Sequence, residues 1–120
     1  MQDSFGKLIR QKRLDAGVGL RELARLVDKS PGYMSDVEGD RVPPPSESVI
    51  IAIAGALGAD KSELLLAGRK ADPELTEYVI NQPEAADFLR MARKRSYSPE
   101  DWDRLKQLAE LSRLGKDDED

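Results

Sequence analysis

Apolar residues recur near the start of the chain at intervals of three and four residues, as they do on one face of an α-helix. Phe5, Leu8 and Ile9 share such a face, and the pattern predicts a helix over residues 4–16 that Gly17 ends. A second stripe predicts a helix over residues 20–27, and its members are Leu20, Leu23, Ala24 and Val27. No stretch alternates apolar and polar residues as a strand does. The chain is therefore predicted to be all-α.

Four prolines, at positions 31, 73, 83 and 99, each stand immediately before a helical pattern. Proline is tolerated there because an N–H in the first turn would have no intrahelical partner. Ser30, Asp72 and Ser98 precede three of the prolines and can cap a helix with a side-chain oxygen. The pattern thus predicts a third helix from Pro31 to about residue 39.

The later apolar runs predict a fourth helix over residues 47–57 and a fifth helix that ends at Gly68. Three further helices are predicted near 73–81, 83–95 and 99–114. Asp60 and Glu63 have the spacing of a capping box at the start of the fifth helix. The polar stretch 68–72 is the predicted boundary between two parts of the chain. We expect a head domain at residues 1–68, a helical extension at 69–114 and a disordered acidic tail at 115–120.

The fourth helix is apolar on nearly every side. One set of its side chains can face the core of the head domain, namely Ile50, Ile53, Ala54 and Leu57. The opposite set needs a second cover, from the extension or from another subunit, and consists of Val49, Ile51, Ala52 and Gly55. A central position within the monomer is the open alternative.

The composition limits the chemistry. The 120 residues suffice for one small domain with an appendage, and they include neither Cys nor His. A Ser-His or Cys-His nucleophile pair and an ordinary zinc site are therefore excluded. The carboxylates stand beside Lys and Arg at helix-surface spacing, which is typical of solvated charge. We expect no enzyme, no metal, no cofactor, no membrane span and a cytoplasmic location.

Charge is distributed unevenly along the chain. The net charge of −4 disfavours nucleic acid as a partner of the whole molecule. Residues 1–29, however, contain seven basic and four acidic residues, whereas residues 71–120 contain eight basic and thirteen acidic residues. A basic head with an acidic rear suits a protein that presents one face to DNA.

Four stretches, GKLIRQKRLDAG, LRELARLVDKSPGYMSDVEGDR, PPPSES and IAIAGALGADKSELLL, follow one another through residues 5–66. In order and spacing they resemble the lambda-repressor-like helix-turn-helix family, also called the Cro/CI or xenobiotic-response-element type. The resemblance implies a five-helix DNA-binding domain at residues 1–68 whose third helix enters the major groove of double-stranded DNA.

The resemblance also implies roles for individual residues. Ser30 matches a phosphate-contacting position, and Pro31 and Gly32 match positions that contact bases. Arg13 and Glu38 match a structural ion pair between the first and third helices. The full set of expected DNA contacts is Arg21, Lys29, Ser30, Pro31, Gly32, Tyr33, Ser35, Asp36 and Arg41.

One of these contacts has an open alternative. Asp36 can accept from a cytosine amine or pair with the nearby Arg41. Arg41 is the first candidate for a phosphate contact, and Arg21 and Lys29 are the next candidates. The third helix is poor in Gln, Asn and Arg, so we expect DNA shape and phosphates to contribute more than direct base contacts.

Two further positions depart from the family pattern. Leu20 stands where relatives often have Gln, which contacts a phosphate or braces the recognition helix, and that contact is missing. Asp28 stands where relatives have the glycine of the turn. Asp adopts the left-handed conformation more readily than most residues, so the turn should persist.

The rear half contains the stretch PELTEYVINQPEAADFLRMARKRSYSPEDWDRLKQLAEL. This stretch is similar to the extension of one subgroup of these regulators, whose members often neighbour a zinc metallopeptidase that inactivates them. Independently of that resemblance, its apolar side chains exceed what about 40 residues can bury alone. Packing on the fourth helix or dimerisation would cover them. The residues expected to pack in this way are Val49, Ile51, Phe88, Leu89, Trp102, Leu105 and Leu108.

The sequence therefore favours a homodimeric transcriptional repressor with a near-palindromic operator. An antitoxin-type autorepressor, with a toxin as partner, is one alternative. An interaction adaptor that kept the fold and lost DNA binding is the other, and the SPG segment and the net charge favour it somewhat.

Overall fold

The computed structural model describes residues 4–116, which form eight α-helices and no strand. The helices are α1 (Phe5–Asp15), α2 (Leu20–Leu26), α3 (Pro31–Glu38), α4 (Glu47–Leu57), α5 (Lys61–Ala67), α6 (Pro73–Ile80), α7 (Pro83–Lys94) and α8 (Pro99–Ser112). The all-α prediction is confirmed. Residues 117–120 of the predicted acidic tail lie outside the described residues. Within 4–116, no helix is long and apolar enough to cross a bilayer.

Local caps begin several helices where the sequence places them. The Ser4 hydroxyl accepts from the Lys7 N–H at 3.2 Å, and the Ser30 hydroxyl accepts from the Tyr33 N–H at 3.0 Å. At α8, Ser98 and Asp101 cap each other in a complete capping box. These bonds satisfy first-turn N–H groups that have no partner within the helix.

The capping box predicted for α5 is wrong. The Asp60 carboxylate accepts from the Ser62 N–H at 3.0 Å, and not from the N–H of Glu63. The Glu63 carboxylate instead contacts the Lys12 ammonium on α1 at 2.7 Å. This tertiary ion pair draws the Glu63 side chain away from the start of its own helix. The hydrogen bond to Glu63 also raises the pKa of Lys12 above its ordinary value.

The head is held together by one apolar core. α1 packs against α3 and α5, α2 packs against α3 and α4, and α4 packs against α5. The buried side chains at its centre are Ile9, Leu23, Met34, Val37, Ile50, Ile53, Leu64 and Leu65. This core holds α2 and α3 in place, because both helices bury side chains in it.

The inner face of α4 is buried as predicted, with Ile50, Ile53, Ala54 and Leu57 all in the core. On the other sides of the helix, Val49 and Ile51 are half-buried and pack against the same core. The head itself therefore covers part of the surface for which a second partner was expected. Ala52 and Gly55 are exposed.

The described chain divides into two compact units, and the division falls after Glu77, within α6. In the second unit the only buried apolar side chain among the described residues is Ala92. Phe88, Tyr97 and Trp102 form an edge-to-face aromatic cluster between α7 and α8, with ring centroids 5.3–6.4 Å apart. Beside this cluster lies an apolar groove of about 430 Å³, lined in part by Phe88, Trp102, Leu105 and Leu108.

Candidate nucleic-acid interface

A tight turn joins α2 to α3. Asp28 adopts the left-handed conformation with φ 58°, which confirms that Asp can replace the turn glycine. The Lys29 N–H donates to the Ala24 carbonyl at 2.8 Å and closes the end of α2. Pro31 then begins α3, and Met34 and Val37 anchor the helix in the core. The opposite side of α3 faces outward.

The first turn of α3 is open. Ser30, Pro31 and Gly32 are exposed, and a side chain built on Gly32 would meet no atom within 4 Å. Tyr33 is half-buried, with the Lys29 ammonium 5.9 Å from the centre of its ring. A helix N-terminus with small side chains and nearby positive charge allows close approach of an anionic partner.

Arg41 lies against the outward side of α3. Its Nε donates to Asp36 Oδ1 at 2.8 Å, and its Nη2 donates to the Ser35 carbonyl at 2.9 Å and to the Ser35 hydroxyl at 3.0 Å. The pairing of Asp36 with Arg41, one of the two alternatives from the sequence, is thus present in this structure. More than two fifths of each charged side chain is exposed, so the pair is weak and solvent-screened.

Arg13 and Glu38 form a second, more buried pair. Arg13 Nε and Nη2 donate to the two carboxylate oxygens of Glu38 at 2.7 and 3.0 Å, and Nη1 donates to the Val18 carbonyl at 3.1 Å. The hydrogen bond to Glu38 raises the pKa of Arg13, while burial opposes this shift. The guanidinium of Arg13 therefore connects α1 with the loop before α2 and with the end of α3.

A close contact between α1 and the end of α3 was not anticipated from the sequence. The Gly6 N–H donates to Asp40 Oδ1 at 2.9 Å. A Cβ on Gly6 would lie 2.5 Å from the carbonyl oxygens of Val37 and Glu38, so only glycine fits there. The sequence around Gly6 could not predict this contact, because Asp40 lies 34 positions later in the chain.

Arg21 and Lys29 are exposed and form no ion pair with any residue among 4–116. Arg10, which sequence analysis did not select, is also exposed. It borders a polar cavity of about 310 Å³ together with Arg13, Glu38 and Arg41. Leu20, Ser35 and Gly39 complete the lining. The basic residues of α1 indicated a positively charged helix, but nothing in the sequence distinguishes Arg10 from the other basic residues of that helix.

Of the other expected residues, Leu89 and Leu108 are exposed on α7 and α8, and Phe88 and Trp102 are only partly covered. Leu105 is half-buried. Val49 and Ile51 lie in the first unit and pack on its core. The expected packing residues thus belong to both units.

A family model described as "Helix-turn-helix domain" matches residues 4–67 of the chain. ClgR, the clp gene regulator of Corynebacterium glutamicum, is 37% identical over 54% of this chain and 83% of that chain, with a TM-score of 0.48. A second ClgR structure is 30% identical over 76% of this chain and 88% of that chain, with a TM-score of 0.49. SinR, a master regulator for biofilm formation solved in complex with DNA, is 28% identical over 51% of this chain and 97% of that chain, with a TM-score of 0.48.

No curated protein matches the chain. The family model nevertheless spans α1 to α5, which is more than half of the residues and the whole helix-turn-helix scaffold described above. The chain belongs to the helix-turn-helix domain family.

Proposed function

We propose that this regulator is a homodimeric repressor that inserts α3 into the major groove at each half of a near-palindromic operator. Residues 1–68 act as the DNA-binding domain, and residues 69–114 provide the dimer contact. The observation that supports this most directly is the open first turn of α3, anchored from behind by Met34 and Val37.

The side chains of α3 support recognition of the DNA backbone and DNA shape more than direct hydrogen bonds to bases. Pro31 and Gly32 offer no hydrogen-bonding side chain, so the helix can approach the bases closely and contact thymine methyl groups. Ser30 and Lys29 lie beside the N-terminus of α3, where a phosphate would be stabilised by the helix dipole. Arg41 lies beside Ser35 and Asp36 on α3, and together with Tyr33 and with Arg21 on α2 these residues complete the proposed contact surface.

The second unit supports the dimer. Most of its large apolar side chains are exposed, and a three-helix segment with one buried side chain cannot offset its loss of chain entropy. A second copy of the segment would cover the groove of α7 and α8. Two recognition helices about 34 Å apart would then match one turn of DNA. A metallopeptidase that relieves repression stays a prediction from the second sequence resemblance, and a toxin partner stays part of the antitoxin alternative.

The decisive experiment is selection of genomic fragments by the purified protein at near-physiological salt, followed by footprinting. We expect a compact two-fold site, with protection repeating at one helical turn. Retention that disappears between about 50 and 200 mM salt, without any preferred fragment, would indicate only non-specific phosphate attraction. That outcome would replace the repressor with the adaptor hypothesis, which the net charge of −4 favours.

A further inference from the structure

The apolar groove of the second unit follows one side of α8. From Trp102 to Ser112, its first and last lining residues on this helix, α8 rises by about 15 Å, so the groove is elongated. Phe88 of α7 and Leu114, just past the end of α8, complete the lining. On α8 itself the lining side chains form two neighbouring rows with spacings of three and four residues, Trp102, Lys106 and Ala109 in one row and Leu105, Leu108 and Ser112 in the other.

The size and lining of the groove are those of a small-molecule site. Its volume of about 430 Å³ lies within the range of such sites, roughly 300–1,000 Å³. Almost all of its lining is apolar, which suits a hydrocarbon chain. Ala109 is the smallest lining side chain and has Leu105 and Leu108 as neighbours, so the space in the groove depends on a short side chain at this position.

A turn at the end of α8 places Leu114 at the groove. Arg113 adopts the left-handed conformation with φ 53°, and the Leu114 N–H donates to the Ala109 carbonyl at 3.4 Å. This closure folds the chain back over the last turn of the helix. The groove therefore has an aliphatic end at Leu114 and an aromatic end at Trp102, whose ring packs against that of Phe88.

Lys106 is the one charged residue among the described residues that line the groove. It is exposed and forms no ion pair with any residue among 4–116, although Asp103 and Glu110 lie three residues before and four residues after it on α8. The alkyl stem of a lysine can lie along apolar surface while its ammonium stays at the edge. A ligand with one carboxylate would give that ammonium a partner, while its apolar part covered the groove.

We propose that the groove binds an unbranched alkyl carboxylate, with the carboxylate at Lys106 and the hydrocarbon chain along α8 over Leu105 and Ala109. The regulatory consequence rests on the proposed function, which gives the same groove to a second copy of the chain. Ligand and second copy then exclude each other. An alkyl carboxylate in the groove therefore converts the dimer to monomers and releases the operator.

The fluorescence of Trp102 tests binding directly, because it is the single tryptophan of the chain and lines the groove. The full chain is titrated with sodium octanoate, decanoate and dodecanoate. The emission should move to shorter wavelength as the ligand displaces water from the indole. The affinity should rise about fourfold for each methylene that the groove covers.

Lys106→Gln should weaken the binding of dodecanoate by roughly threefold, as expected for an ion pair at an exposed site, and leave the binding of dodecanol unchanged. Arg104→Gln is the matched control, since it removes one positive charge from the same helix outside the lining of the groove. It should leave the binding of both ligands unchanged.

Ala109→Leu should weaken the binding of dodecanoate by about tenfold, because the larger side chain occupies the space of the ligand. Gln107→Leu adds an apolar side chain to α8 outside the lining and should leave the affinity unchanged. In sedimentation and operator titrations, dodecanoate should dissociate the wild-type dimer and weaken its binding to DNA, and both effects should be lost in Ala109→Leu.

Unchanged Trp102 emission at every chain length would overturn the proposal. A dimer that still bound the operator would then leave the proposed function intact and the groove to the second copy. Equal binding of dodecylamine and dodecanoate, or equal affinities in Lys106→Gln and Arg104→Gln, would also overturn it, because the groove would then accept any amphiphile. Saturation with dodecanoate that left the dimer intact would refute mutual exclusion. A wild-type protein that bound dodecanoate but neither dimerised nor bound DNA would refute the proposed function and confirm the ligand site.

Discussion

At the level of single residues, burial separates the two ion pairs at the end of α3. The side chains of Arg13 and Glu38 are 12% and 8% exposed, and those of Arg41 and Asp36 are 58% and 46% exposed. A desolvated, bidentate pair fixes geometry and is costly to break, whereas an exposed pair contributes at most about 1 kcal/mol. The first pair therefore holds α1 against α3, whereas the second can exchange partners at little cost.

Arg13→Ala should lower the free energy of unfolding by roughly 3 kcal/mol, because Glu38 would be left buried without a partner. Arg41→Ala should change it by less than about 1 kcal/mol. Urea unfolding of the two variants measures both effects. The double variant Arg13→Met with Glu38→Leu should recover much of the loss, since no unpaired charge remains. Equal losses in the two single variants would contradict the role assigned to burial.

Asp36→Asn should tighten binding to all duplexes and steepen the salt slope by about one, because it frees the Arg41 charge and removes a carboxylate near phosphate. Arg41→Ala should do the reverse, weakening binding to every sequence. Binding titrations over a range of salt, with duplexes varied one base pair at a time, measure both. A changed preference at one base pair in Asp36→Asn would instead identify Asp36 as a base contact.

At the level of elements, the approach of α1 to α3 depends on the absence of a side chain at Gly6. Its Cβ position is occupied by backbone oxygens of α3, which cannot move aside as a flexible side chain would. The sequence predicted both helices, and the stripe of Phe5 and Ile9 predicted which face of α1 is buried. The sequence could not predict the distance between α1 and α3, because that distance depends on a tertiary contact between Gly6 and the end of α3.

Gly6→Ala should destabilise the protein by about 1–3 kcal/mol, the range for overpacking at a tight contact. Gly55→Ala is the matched control: Gly55 lies in the last turn of α4, a Cβ on it would meet no atom within 4 Å, and the change should stabilise by at most about 0.5–1 kcal/mol. Thermal unfolding of the two variants compares them directly. A stable Gly6→Ala protein would mean that α1 can move away from α3 at little cost.

At the level of the whole molecule, the two units differ in how much apolar surface they bury. The first unit contains a continuous core, whereas the second leaves Leu108 and Leu111 more than half exposed. Only removal of apolar surface from water can offset chain entropy at this size. The second unit should therefore reach its full stability only in contact with a partner, which the proposed function identifies as a second copy.

Leu108→Glu should shift the protein from dimer to monomer and weaken operator binding, because it places a charge in the apolar groove of α7 and α8. Leu66→Glu is the control, since Leu66 is 78% exposed on the first unit. Sedimentation at several concentrations measures the association. A dimer that persists in Leu108→Glu and dissociates in Leu66→Glu would place the interface on α5.

Local interactions were determined by the sequence itself. The start of α3 at Pro31, the bounds of α4 and the left-handed Asp28 depend on partners within about four residues, and the structure agrees with each. The family followed from the order of these same elements. Tertiary structure alone decided the rest: Glu63 contacts Lys12 instead of capping α5, Gly6 meets the end of α3, and Arg10 borders the cavity beside Arg41. Each of these depends on residues far apart in the chain, and packing of the core is what brings them together.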